Sequence, residues 1–308
     1  MNDEHPVLQA FSVQGATCRA MGSPLTGSVL EALAATLDDR TETGRAILGW
    51  TGEPLKDALP LRLAGALHAL ARSGSEPELS RLYRGGRDDA AAILADVIPR
   101  HDQWLGGWLT SPPQTNEVGR SAALIAGLAV AVERLQLPLD VLELGASAGL
   151  NLLLDRFSHR LGTTRIGADS DVRLAPDWTG GSPPAILPHI IARAGVDQSP
   201  LDVRNPATAE RLIAYVWADQ AERVARIEGA IAIAREGAML VERGDAADWL
   251  EERLETRQSG GVLRVVMHSV FWQYLDAPIQ ERIEAAIRRS GERATADTPL
   301  AWLSFEPG

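Results

Sequence analysis

The chain has 308 residues, 45% of them hydrophobic and 23% charged, which suits a globular protein with a sizeable core, and no apolar run reaches membrane-spanning length. Its formal net charge of −11, with basic residues scattered rather than clustered, disfavours broad binding to nucleic acid. A single cysteine, Cys18, excludes an internal disulfide and a cysteine-based zinc site.

Residues 1–6 carry acidic side chains and no apolar segment of the kind a secretory signal needs, so a cytoplasmic location is expected. Residues 7 to about 110 read as helical throughout. Leu30, Leu33, Ala34 and Leu37 recur at helical spacing, and Leu59, Leu63, Ala66, Leu67 and Leu70 repeat the pattern. Breaks fall at Gly22-Ser23-Pro24, at Thr51-Gly52-Glu53-Pro54 and at Gly85-Gly86. The division expected is a helical region over 1–110 and a second domain over 111–308.

Ser111-Pro112-Pro113 closes one helix, and a new one follows with Val118, Ala122, Ile125, Ala129 and Val132 on one face. Residues 139–144 predict a buried strand that ends at glycine, and residues 150–157 predict a helix. Residues 162–190, rich in Gly, Pro and Asp, read as an irregular insertion holding short strand-like pieces. A second strand is expected over 190–196. Helix follows over 206–236, with Asp219 and Glu222 spaced as a capping box at an internal break. A third strand is expected over 239–242, then Gly244-Asp245 and a helix to about Thr256. Residues 262–267 form the clearest strand, apolar around a lone Arg264. A helix over 278–289 and a last strand over 300–305 complete the pattern. Strands alternating with helices from Leu139 onward predict an α/β domain: a mostly parallel sheet with helices on both faces.

The stretch Glu143-Leu144-Gly145-Ala146-Ser147-Ala148-Gly149-Leu150-Asn151 runs from strand end through a small-residue turn into a helix. Such a turn lets a ligand approach the backbone and meet free N–H groups at the helix start. A tight turn with no ligand is the plainer alternative. The acid two residues before the first glycine resembles methyltransferases, in which it orders the loop around the amino-acid end of S-adenosylmethionine. Dinucleotide folds place their acid on the next strand instead.

Three later stretches add to this likeness. Gly195-Val196-Asp197 resembles the second strand end, where an acid meets the ribose, although an Asp in a turn reads equally well. Gly244-Asp245-Ala246 resembles the third strand end, at the adenine, although Asp245 also suits a helix N-cap. Met267-His268-Ser269-Val270-Phe271-Trp272 resembles the fourth strand and its exit. There His268 is either a general base or a structural histidine.

Four strings carry a wider resemblance: 112–121 (Pro-Pro-Gln-Thr-Asn-Glu-Val-Gly-Arg-Ser), the loop 143–151, Tyr215-Val216-Trp217-Ala218-Asp219-Gln220, and His268-Ser269-Val270-Phe271-Trp272-Gln273-Tyr274. Over nearly the whole chain they resemble a bacterial family known as domain of unknown function 2332. That resemblance implies a Rossmann-like methyltransferase fold behind a helical N-terminal region, and implies no particular activity. The chain departs from the methyltransferase pattern at Ser147, where a second glycine is usual. It also departs in the long interval between Gly149 and Asp197.

Gly145-Ala146-Ser147-Ala148-Gly149 is also a G-x-S-x-G motif, followed by Asp245 and His268 in the order of a hydrolase triad. Against that alternative, elbow enzymes place several strands before the nucleophile where this chain reads as helical, and no HGGG-type oxyanion loop precedes Ser147. A third alternative is a non-catalytic binding protein that keeps the fold.

The favoured expectation is methyl transfer from S-adenosylmethionine to a small-molecule or protein acceptor, with the helical region lying over the site and no metal. Glu143, Gly145, Ala146, Ser147, Gly149 and Asn151 shape the cofactor loop in this reading, with Asp197, Asp245 and Ala246 at the nucleoside. His268 is the expected base. Asn116, Glu117, Arg120 and Tyr274 line the acceptor side, with Arg120 suited to grip a carboxylate. Asn116 or Thr115 as a helix cap and Glu117 at the helix dipole are the bland alternatives. Trp272, Tyr274 and Trp217 read as pocket walls or as core.

Overall fold

A computed structural model describes residues 5–86 and 89–307. The expectation of no secretory signal falls largely on residues 1–4, outside the described residues. Among the described residues no helix is long and apolar enough to cross a membrane. The chain forms two compact units: one holds the residues up to Thr115 together with Glu210–Val224, the other holds Asn116–Ala209 and Ala225–Gly308.

The first unit is helical, as its spacing predicts. Its helices are α1 (Pro6–Ala20), α2 (Pro24–Thr36), α3 (Glu42–Leu48), α4 (Leu59–Ser73), α5 (Pro77–Tyr83), α6 (Ala90–Arg100) and α7 (Asp102–Trp108). Leu59, Leu63, Ala66 and Leu67 of α4 are fully buried in a core that also takes in Phe11, Leu30, Leu33 and Leu94. Gly65 of α4 lies against the ring of Tyr215, where any larger residue would collide.

The capping box expected at Asp219 is not what that residue does. Its carboxylate accepts from Ser23 Oγ, from Leu25 N at 2.8 Å and from Thr26 Oγ at 3.3 Å. Ser23 is the N-cap of α2 and makes no side-chain cap bond to its own helix. Asp219 therefore satisfies the first-turn donors of a helix nearly two hundred positions away in sequence, with its charge at the favourable end of the dipole. Local spacing carries no signal for such a partner.

The second unit is built on a five-stranded, wholly parallel sheet. Its strands are β1 (Leu139–Leu144), β5 (Ile190–Asp197), β6 (Val241–Arg243), β7 (Leu263–Ser269) and β8 (Leu300–Phe305), in the order β6-β5-β1-β7-β8. β7 is buried at every position, as a central strand covered on both faces must be. Arg264 within it pins the register. It pairs with Asp140 of β1 at 2.9 Å and donates to the carbonyls of Arg253 and Thr256.

Leu144 of β1 lies in register with Val196 and with His268, and successive side chains alternate between faces. One face presents Leu142, Leu144, Val196 and Val266 to α11 (Ala246–Glu255) and α12 (Ala277–Glu292), through Trp249, Leu250, Ile283 and Ile287. The other face carries Glu143, Met267 and Leu303, and Gly127 of α8 (Ser121–Leu135) packs directly on Leu303.

In this unit the helix expected over 150–157 is present, and the expectation for the insertion needs correction. Leu150–Arg156 is a 3-10 helix, entered from Gly149 in the left-handed region and begun by Leu152 N donating to Gly149 O. The supposed irregular insertion begins earlier, and its first part is a small sheet. β2 (Ser158–Leu161), β3 (Thr164–Ile166) and β4 (Arg173–Leu174) lie in the order β3-β2-β4, with Gly162 at positive φ between β2 and β3. Strands this short leave little periodicity to detect.

Replacing Asp219 by Ala removes the acceptor shared by three donors near the start of α2. It should lower stability by about 2 kcal/mol, read by urea denaturation, with Asp219→Asn recovering part of the loss. An unchanged midpoint in Asp219→Ala would show that water replaces the carboxylate.

Candidate functional site

In the sheet order, β1 leads on to β5 in one direction while β7 leads on to β8 in the other. The order reverses between β1 and β7, and in open parallel sheets the crevice at such a reversal, beyond the carboxyl ends of the strands, is where ligands bind. The turn that leaves β1 there takes three left-handed residues: Gly145 at φ 66°, Ser147 at 53° and Gly149 at 73°.

The turn is held from β5. Ala146 N donates to Val196 O, and its methyl group fits against Gly195, where a Cβ would collide with it. Ser147 N donates to Asp197 Oδ2 at 2.9 Å, while Ser199 N donates to Asp197 Oδ1 at 2.8 Å. Asp197 thus stands at the second strand end, clasping the first turn. Gly149 is required for close packing, since a Cβ there would press on Val241.

Glu143 projects from the same face as Met267 and is 2% exposed. Among the described residues its Oε2 has no hydrogen-bond partner, and neither does the buried Oγ of Ser147. Burial pushes the Glu143 carboxyl up to about 8, with nearby Arg120 opposing the shift and Asp197 adding to it. Arg120 sits in a one-turn 3-10 helix (Val118–Arg120) and donates to Ser269 O at 2.9 Å. Its own affinity for a proton is lowered by burial, offset by the charges of Glu117, Tyr274, Glu306 and Glu143. The Arg120 guanidinium and the buried Glu143 carboxyl therefore each feel the other's charge.

Several expected site residues are bonded within the fold. Asn116 Oδ1 accepts from Leu150 N at 2.9 Å, and Asn151 Oδ1 accepts from Ser121 Oγ at 2.7 Å, both buried. Glu117 caps its own short helix through Gly119 N. Asp245 caps α11 by accepting from Ala247 N and Asp248 N, as the helix-cap reading holds, with Ala246 buried beside it. Tyr274 is 75% exposed.

His268 lies inside β7 rather than beyond it, in register with Leu144, and so on the sheet face opposite Glu143. Its Nδ1 is 2.6 Å from Glu306 Oε1. The ring stacks on Trp272 at 5.2 Å and meets Phe271 edge-on at 6.0 Å. Desolvation lowers its pKa, and the Glu306 carboxylate opposes that shift. Val270, next in the chain after Ser269, has φ 48°, a strained conformation for a β-branched residue. It is held there by Val270 N donating to Phe305 O and by Phe271 N donating to both oxygens of Glu306 at 3.1 Å. This kink lays the Phe271 ring over Gly145, where a Cβ would collide with it.

The relay of a serine hydrolase is not assembled. Ser147 Oγ and His268 Nε2 each lack a hydrogen-bond partner among the described residues, and the carboxylate on His268 comes from Glu306 rather than Asp245. Sequence reasoning missed Glu306 and Phe271. Phe271 lay inside a singled-out string without a role, and nothing local marks Glu306 as a partner of His268.

Glu143 also leaves a stability signature. Its pKa rises from 4.5 in an open chain to about 8 on folding, so folding takes up a proton between those values. Stability attributable to this group is then highest below 4.5, declines as pH rises and levels off above 8. Relative to Glu143→Gln, the parent should lose roughly 2–4 kcal/mol between pH 5 and pH 8.5 in urea denaturation. Parallel profiles for the two proteins would show that Glu143 is solvated.

No curated protein and no solved structure matches the chain. Its family model matches residues 8–308, so the chain belongs to the family described as an uncharacterized protein conserved in bacteria (DUF2332).

Proposed function

We propose that this chain is a methyltransferase of the Rossmann-like class, moving a methyl group from S-adenosylmethionine to a small-molecule or protein acceptor. The observation that carries the reading is the placement of three acids on one sheet edge. Glu143 precedes the turn of the central strand, Asp197 ends its neighbour, and Asp245 follows the strand beyond that, in the spatial order β6-β5-β1. A nucleoside lying along that edge would meet Asp245 at its base, Asp197 at its ribose and the Glu143–Ser147 turn at its amino-acid end.

The residues fit this cofactor. Glu143 Oε2 and Ser147 Oγ are buried polar atoms without partners, and such atoms are rare where no ligand is meant to meet them. Arg120 is placed to receive a carboxylate. The Phe271 ring over Gly145 must swing aside as the ligand enters. When bound, the cofactor supplies a methyl group on a sulfonium whose carbon–sulfur bond pair returns to sulfur on transfer. The protein's part is to orient and desolvate the reactants, which is where most of the rate of such a displacement arises.

A proton balance follows from Glu143. With its pKa near 8 the carboxyl is largely protonated at pH 7, and an ammonium group arriving beside it favours the carboxylate. Calorimetric titration with S-adenosylmethionine at pH 7, in buffers of different ionisation enthalpy, should show release of up to one proton, absent in Glu143→Gln. Gly145→Val, at a left-handed position already covered by Phe271, should weaken binding at least tenfold. Equal affinity in Glu143→Ala, Gly145→Val and the parent would place the ligand elsewhere and remove this assignment.

A further inference from the structure

The His268 imidazole is 1% exposed, and its Nδ1 faces Glu306 Oε1 at 2.6 Å. Phe271 N–H donates to both oxygens of the same carboxylate, so the Nδ1 contact has nitrogen as donor and the ring proton on Nδ1. The Nε2 lone pair is then buried, and that atom has no hydrogen-bond partner among the described residues. Leaving a buried acceptor without its hydrogen bond is unfavourable, because it has lost water and gained no donor.

Aromatic rings surround this acceptor. Trp272 stacks on the imidazole with an interplanar angle of 24°, Phe271 stands edge-on, and Trp302 is tilted at 5.9 Å. Phe271 also covers Gly145, so one phenyl ring spans the interval between the glycine turn and the imidazole. The turn that carries it is strained at Val270.

We propose that Glu306 is a positioning residue that holds His268 with its proton on Nδ1, presenting Nε2 to the O–H or N–H of an aromatic methyl acceptor that takes the place of the Phe271 ring. This rests on the methyl-transfer reading and names its substrate class: a flat acceptor of phenol or aniline size. In the step, the acceptor's O–H or N–H bond breaks and its proton passes to Nε2. The electron pair released forms the bond to the methyl carbon, and the pair of the broken carbon–sulfur bond stays on sulfur. The imidazolium formed lies against the Glu306 carboxylate, which stabilises it.

The test is nuclear magnetic resonance of the full chain carrying nitrogen-15 histidine, with no cofactor present. In the parent, His268 should be protonated on Nδ1. Glu306→Gln should keep that tautomer, because its amide oxygen still accepts, while lowering the ring pKa by about one pH unit. Glu306→Ala should give a mixture of tautomers. In Phe271→Ala, which opens a phenyl-sized space, phenol should shift the Nε2 resonance and bind at least tenfold more tightly than toluene, which has the same shape and no donor. Phe271→Leu serves as the second variant if the alanine protein unfolds non-cooperatively, with the same ordering of the two probes.

An unchanged tautomer and pKa in Glu306→Ala, or toluene binding as well as phenol, would overturn the proposal. Because neither measurement uses S-adenosylmethionine, failure here is distinguishable from failure of the cofactor assignment.

Discussion

The N–H of Ser147, donated to the Asp197 carboxylate at 2.9 Å, holds the carboxyl edge of the sheet in its shape. Ser147 occupies the left-handed region at φ 53°, which costs a residue with a Cβ roughly 1–2 kcal/mol. A charge-assisted bond is among the contacts strong enough to offset this. The same carboxylate accepts from Ser199 N, so one side chain fixes the exit of β5 and the turn after β1 relative to each other. Much of the rest follows from that clasp. The turn stays tight, Gly149 can press on Val241, and the 3-10 helix starts where Asn116 can cap it.

The parallel sheet divides the chemistry between its two faces. Glu143 and Arg120 lie on the α8 side, where burial raises the carboxyl and the guanidinium restrains it. His268 and its aromatic neighbours lie on the α11 and α12 side. The two sets meet only where the strands end, at the kink of Ser269, Val270 and Phe271. Arg120 holds the Ser269 carbonyl and Glu306 holds the Phe271 N–H. A side chain from each set thus grips the same strained turn, and the Phe271 ring fills the crevice between them.

The elements legible in the sequence were those whose period is long enough to read. α4 shows its buried face over fifteen residues, and β7 is an unbroken apolar run around an arginine that pairs across to Asp140. β2 to β4 span only two to four residues each, too few for an alternation to stand out from a Gly- and Pro-rich stretch. At the site, Glu143, Gly145 and Asp197 could be found because a strand, a turn and an acid occur in fixed local order. Asp219 and Glu306 could not be assigned, since each acts on a partner set by the fold: Asp219 on the start of α2, and Glu306 on His268. Asn116 reads in the sequence as an acceptor-side residue and Asn151 as part of the cofactor loop, and in the fold they bond Leu150 N and Ser121 Oγ. Polarity alone does not distinguish a side chain that meets a ligand from one that satisfies a buried backbone group.

The most direct measurement is a crystal structure of the protein grown with S-adenosylhomocysteine, the demethylated cofactor. The account predicts the nucleoside along the carboxyl edge, with its ribose at Asp197, its amino-acid end at the Glu143–Ser147 turn and the Phe271 ring moved off Gly145. A fully ordered Phe271 still seated on Gly145, with no nucleoside density at that edge under millimolar ligand, would contradict it.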